Sequence, residues 1–172
     1  KETILIQDFF NVKAYLDIVG KKAKIITAIA MFYDLDDPNS FLKDVTKILD
    51  DEGILVIQQN YLPKMLSEGT FDNISHEHNC YYSLATLSKL LESHGLEVFD
   101  VEQSPINGGC FRTFVSFKGK KAVEPSVHEM LDTEVLDYEG FKTRVKETIH
   151  NLSTFINSEY KKGKKIWIYG AS

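Results

Sequence analysis

The run Ala23-Lys-Ile-Ile-Thr-Ala-Ile-Ala30 decides the fold class. It is almost continuously apolar, as expected of a parallel strand covered on both faces. Upstream, Asn11 to Val19 reads as a helix, capped by Asn11 and closed by Gly20, and Thr3 to Ile6 reads as a strand. Downstream, Asp36-Asp37-Pro38 opens another helix, with a capping acid and proline at the first helical position. Its apolar positions Phe41, Leu42, Val45, Ile48 and Leu49 follow helical spacing up to Gly53. Ile54 to Ile57 is the next buried strand. Strands alternating with amphipathic helices predict an α/β fold.

A long irregular stretch follows. Ser83 then caps a helix bearing Leu84, Leu87, Leu90 and Leu91, stopped by Gly95. Leu96 to Val101 and Phe111 to Phe117 are predicted strands flanking the turn-rich Pro105-Ile-Asn-Gly-Gly109. Pro125 marks a boundary, so residues 1–122 are expected to form one unit and 123–172 the start of another. In the second, Tyr138, Phe141, Val145, Ile149, Leu152, Ile156 and Tyr160 form one apolar helical stripe. Lys164 to Tyr169 is read as a terminal strand running into Gly170-Ala171-Ser172. A buried strand entering a small-residue turn should continue into a crossover helix, so the chain is expected to be a fragment of a larger protein.

Composition excludes several function classes. The 172 residues are 43% hydrophobic and 26% charged, ordinary for a packed globular domain. Twenty basic against 25 acidic residues give a formal charge of −5, which argues against a general nucleic-acid binder. Cys80 and Cys110 are too few for a disulfide framework, and a reducing, cytoplasmic compartment is expected. No apolar run reaches the roughly 18 residues of a membrane span.

The densest chemistry lies in Phe71-Asp-Asn-Ile-Ser-His-Glu-His-Asn-Cys-Tyr-Tyr82. Two imidazoles flanking a carboxylate offer a base near neutral pH and a group to orient it. The same residues also read as a hydrogen-bonded polar turn. A metal reading rests on His76 and His78, two apart on an extended segment. Zinc asks for a third protein ligand, and no established spacing supplies one, so no metal site is assigned. Asn107-Gly-Gly109 offers backbone N–H groups to a phosphate or carbonyl, or is simply a hairpin turn. Arg112 is an anion ligand or a surface ion pair. Most of Phe9, Phe10, Phe32, Tyr33, Tyr61, Tyr81 and Tyr82 are expected in the core, with one or two free to stack on a planar ligand.

Asp72-Asn-Ile-Ser-His-Glu-His78, Tyr81-Tyr-Ser83 and Pro105-Ile-Asn-Gly-Gly-Cys-Phe-Arg112 together resemble the sugar C-methyltransferase family. The resemblance extends to Asp8-Phe-Phe10, Ile26-Thr-Ala-Ile-Ala-Met-Phe-Tyr-Asp34 and Tyr169-Gly-Ala-Ser172, nearly the whole chain. Such enzymes use S-adenosylmethionine to methylate a ring carbon of nucleotide-linked keto-deoxysugars. The resemblance implies an incomplete Rossmann-like methyltransferase sheet followed by the opening of a C-terminal Rossmann-like domain. The family's zinc-binding N-terminal region and glycine-rich first loop have no counterpart in these residues, so zinc is expected only in that region.

The resemblance makes His78 the general base and Glu77 its neighbour in substrate binding or proton handling. Asp8 and Phe9 fall near the cofactor's adenine, Thr27 and Ala28 near its methionine. His76, Asn107, Gly108 and Arg112 fall on the substrate side. An active-site Tyr of some members falls at Ser75, a further catalytic His near Asp34, and the Ser usual after Gly-Gly is Cys110. Two other functions stay open on sequence: a non-catalytic sugar-nucleotide binding or assembly module, and a metal-dependent enzyme using His76 and His78. The expected partner is a nucleotide-linked sugar, without nucleic acid or membrane, and the oligomeric state stays open.

Overall fold

A computed structural model describes residues 3–170, the side chain of Asn107 apart. Ala171 and Ser172 of the closing Tyr169-Gly-Ala-Ser172 lie outside the described residues. Four strands form one mixed sheet in the order β1-β2-β4-β3. They are β1 (Ala23–Ile29), β2 (Leu49–Asn60), β3 (Leu96–Ser104) and β4 (Cys110–Phe117). β1 and β2 run parallel, joined by a helical crossover; β4 runs antiparallel to both β2 and β3. The helices are α1 (Val12–Val19), α2 (Pro38–Ile48), α3 (Leu62–Glu68), α4 (Leu84–Glu92), α5 (Pro125–Thr133) and α6 (Tyr138–Lys161).

The α/β expectation holds, and so do the predicted helix boundaries where capping chemistry marks them. The Asn11 side chain accepts from Ala14 N, Asp37 from Ser40 N and Ser83 from Thr86 N. Ser83 and Thr86 complete a reciprocal capping box. Gly20 ends α1 in the left-handed conformation that costs glycine least.

Pleat and register sort the side chains. Ala28, Ile57, Thr113 and Val101 lie in register across the four strands, as do Ile26, Leu55, Val115 and Val98. These rows are buried and join Phe41, Leu42, Val45 and Ile48 of α2, Leu84, Leu87 and Leu91 of α4, and Val127 and Met130 of α5 in one core. On the other face, Ile29, Gln58, Arg112 and Glu102 form a row with little above it.

Five expectations need correction. β1 is covered on one face only: Ile25 and Ile29 are 64% and 47% exposed. An apolar run reports that a strand can be buried on both faces, and neighbours decide whether it is. α2 ends at Ile48 rather than Gly53, because Leu49 already has extended dihedrals and opens β2. Gly53 instead fits the register slip between β1 and β2, where a Cβ would stand 2.9 Å from the Ala23 carbonyl oxygen. Thr3–Ile6 and Lys164–Tyr169 are not strands, since neither pairs with a neighbour among the described residues. The α6 stripe is real as a sequence pattern, yet no α6 residue is buried. No helix among the described residues is long and apolar enough to cross a membrane.

Candidate active site

The carboxyl ends of β1 and β2 point the same way, and the chain that leaves each of them builds the site. After β1, Ala30 adopts φ 52°, making it the one non-glycine residue with positive φ among those described. This strained turn leads directly into the 3₁₀ turn Phe32–Asp34. After β2, Tyr61 leads into α3, which closes at the left-handed Gly69, and then into the loop 70–82.

The loop docks on the Phe32–Asp34 turn. Cys80 N donates to the Tyr33 carbonyl at 3.0 Å, and Asn79 Nδ2 donates to the Asp34 carbonyl at 2.8 Å. The His78 ring consequently lies edge-on to Tyr33, centroids 4.5 Å apart, with Tyr81 at 6.3 Å on another side. His78 Nδ1 is 2.7 Å from the Asn73 carbonyl oxygen. A carbonyl only accepts, so neutral His78 carries its proton on Nδ1, leaving Nε2 with a lone pair. Asn73 is itself held: its side-chain oxygen accepts from Asn60 Nδ2 at 3.0 Å, and its carbonyl also accepts from the Tyr81 hydroxyl at 3.2 Å.

Asp34 completes the electrostatics. Its Oδ1 is buried and has no hydrogen-bond partner among the described residues. Burial pushes its carboxyl above the ordinary aspartate value; nearby His78 pulls it back down and Glu77 adds to the rise.

The predicted site residues separate into groups. His78 is half-buried, whereas His76 is 92% exposed and pairs with Glu77, also exposed, at 3.9 Å. Among the described residues no three His, Cys, Asp or Glu side chains form a group able to hold a metal. Gly108 and Gly109 pack the hairpin turn onto the base of the loop. A Cβ on Gly108 would come within 2.6 Å of Thr70 Cγ2, and one on Gly109 would overlap the Lys64 side chain. The 3₁₀ turn Ile106–Gly108 holds the Asn107 backbone in the same place. Arg112 bonds Gln58 Oε1 through Nε at 3.0 Å and Nη2 at 2.8 Å, and Glu102 at 3.2 Å.

The residues assigned to S-adenosylmethionine fit it unequally. Phe9 is 92% exposed, and its neighbour Asp8 accepts from Phe9 N at 2.7 Å and Asn11 Nδ2 at 3.2 Å. An exposed apolar ring next to an acceptor suits an adenine with its exocyclic amine. Thr27 lies on the open face of β1. The Ala28 methyl is buried in the core, so Ala28 can offer a ligand only its backbone.

Of the aromatics, Phe32, Tyr61 and Tyr82 are core, Tyr33 and Tyr81 flank His78, and Phe9 is exposed. Sequence reasoning missed α3, reading that region as irregular, and gave Tyr33, Asn73 and Asn60 no individual role in holding His78. Leu62-Pro63 followed by Gly69 was the available signal for α3: proline in the first turn and glycine just past the last.

A methyltransferase-domain family model matches residues 7–101, and a C-methyltransferase C-terminal domain model matches 105–172. The chain belongs to the methyltransferase-domain family. It is 34% identical over 113 residues to C-methyltransferase NovU of Streptomyces niveus, covering 65% of this chain and 27% of that protein. The chain thus spans about a quarter of the curated relative's length. A LepI complex with S-adenosylmethionine aligns at 17% identity over 57% of this chain and 27% of the other, TM-score 0.48. An Aquifex aeolicus S-adenosylmethionine-dependent methyltransferase aligns at 18% identity over 56% and 47%, TM-score 0.44.

Proposed function

We propose that the protein transfers a methyl group from S-adenosylmethionine to a ring carbon of a nucleotide-linked keto-deoxysugar, with His78 as the base. The observation that carries this reading is the bond from His78 Nδ1 to the Asn73 carbonyl, which leaves Nε2 free to take a proton. The match to a C-methyltransferase C-terminal domain and the likeness to NovU support carbon as the acceptor. The sugar rests on the sequence resemblance.

A hydrogen on the carbon next to a ketone is weakly acidic, so a base must be held ready and the developing oxyanion stabilised. His78 Nε2 removes that proton. The imidazolium then carries it, with its positive charge near the Asp34 carboxylate. Tyr33 and Tyr81 exclude water from two sides of the ring. Bound S-adenosylmethionine supplies a methyl group activated by its positive sulfur. Glu77 and His76, at the exposed rim, meet the sugar hydroxyls. The turn bearing Asn107 and Gly108, with Arg112 beside it, takes the nucleotide side.

The test is methyl transfer by the intact protein from ¹³C-methyl-labelled S-adenosylmethionine to a panel of nucleotide-linked keto-deoxysugars, read by NMR. A new carbon–methyl signal on the carbon next to the ketone, which is retained, is expected. Transfer only to oxygen, or none to any sugar in the panel, would sink the reading.

A further inference from the structure

The loop carrying His78 is gripped at both ends by two charged side chains from a single distant segment, the connection between α5 and α6 and the first turns of α6. At the upstream end, Arg144 donates from Nε (3.1 Å) and Nη2 (2.8 Å) to the carbonyl of Leu66 in the last turn of α3. That carbonyl belongs to the set a helix end leaves unpaired. The guanidinium stem packs against Gly69, where a Cβ would meet Arg144 Cβ at 3.4 Å. Asp137 holds Arg144 in turn: Oδ2 accepts from Nη2 at 3.2 Å while Oδ1 caps α6 through Gly140 N at 2.9 Å.

At the downstream end, Glu134 accepts from the backbone N–H groups of Leu84 and, at 3.1 Å, Ala85, the first two residues of α4. These donors are also orphans of a helix end, and the positive end of the helix favours a carboxylate there. Glu134 Oε1 further accepts from the Tyr61 hydroxyl at 3.0 Å. Tyr61 bridges to Tyr82, whose carbonyl accepts from Leu62 N at 2.9 Å. The two anchors thus bracket the loop between Gly69 and Leu84.

We infer that Glu134 and Arg144 are positioning residues that set the geometry of the His78 loop, so that the region after Pro125 controls the site without touching the reacting atoms. This rests on the reading of His78 as the base. The carboxylate and the guanidinium each satisfy backbone groups that would otherwise be solvated differently or unpaired, and charge-assisted bonds of this kind are the strong ones.

The experiment measures amide hydrogen exchange and steady-state kinetics on the intact protein carrying Glu134→Gln, Arg144→Met or Arg144→Lys, with Lys142→Ala as control. Among the described residues Lys142 makes only an exposed pair with Glu139 at 3.5 Å, so its loss should change neither readout. Glu134→Gln and Arg144→Met should speed exchange across 70–82 by about tenfold or more while leaving β1 and β2 unchanged. They should lower kcat by a similar factor with KM within about twofold, as expected when a group acting after binding is displaced. Arg144→Lys should recover part of both effects, since one ammonium can reach one carbonyl but cannot chelate it. If Arg144→Met does not fold, Glu134→Gln and Arg144→Lys carry the test. Unchanged exchange across 70–82 in folded variants overturns the inference, and so does a loosened loop with wild-type kcat. If His78→Ala retains activity, the base reading fails instead, and the clamp then stands or falls on the exchange data.

Discussion

His78 Nδ1 and the carbonyl oxygen of Asn73 are 2.7 Å apart, and that one bond determines what the imidazole can do. It fixes the neutral tautomer and turns Nε2 outward as an acceptor. The partner is a backbone atom five residues upstream, so the loop conformation itself supplies it, and the Asn73 side chain contributes through its bond from Asn60.

Replacing His78 with alanine in the intact protein should lower methyl transfer by about 10²–10⁴-fold, the usual contribution of a positioned base. It should also slow exchange of the substrate's α-hydrogen with solvent deuterium. In the proposed mechanism proton removal precedes methyl transfer, so the exchange assay isolates the base step. His76→Ala, at an exposed position, should leave that exchange within a few-fold of wild type. Wild-type exchange in His78→Ala would exclude it as the base.

Asp34 predicts a pH dependence of stability. Its carboxyl binds its proton more tightly folded than unfolded, because burial raises the folded value above the ordinary 3.8. The folded state therefore holds the extra proton as pH rises past 3.8, and stability is lost through the raised folded value. Asp34→Asn removes that loss. The gain in urea midpoint over wild type should be small below the ordinary value of 3.8 and grow as pH rises through the raised folded value. A gain independent of pH would show that Asp34 is not the group responsible.

Gly109→Ala should destabilise by about 1–3 kcal/mol, the range for strain at a special backbone conformation. Gly109 has φ 110°, and the added methyl would overlap the aliphatic stem of Lys64. A double variant with Lys64→Gly should recover only the steric part. Urea denaturation of both measures the split between clash and backbone strain.

Ser83→Ala removes one half of a capping box at the start of α4 and should cost about 1 kcal/mol. Ser83→Asn should be near neutral by the same denaturation measurement. Equal losses in both variants would assign the effect to the 99%-buried Ser83 packing site rather than to the cap.

Much of this protein was legible from residue order. Caps at Asn11, Asp37 and Ser83 act over three residues, so sequence suffices to place them. The Leu84, Leu87 and Leu91 spacing marked a buried helix face, and the polar cluster after a parallel strand contains the proposed base His78. Tertiary structure decided the rest, because it depends on partners far away in the chain. Whether β1 is covered on one face or two, and whether Lys164–Tyr169 pairs at all, are properties of neighbouring elements. The contact of Tyr33 with His78, and the reach of Glu134 to Leu84 and of Arg144 to Leu66, span 45 to 78 residues of sequence. No local pattern encodes such pairs; they exist only once the chain has closed on itself and brought Glu134 and Arg144 to the orphaned ends of α4 and α3.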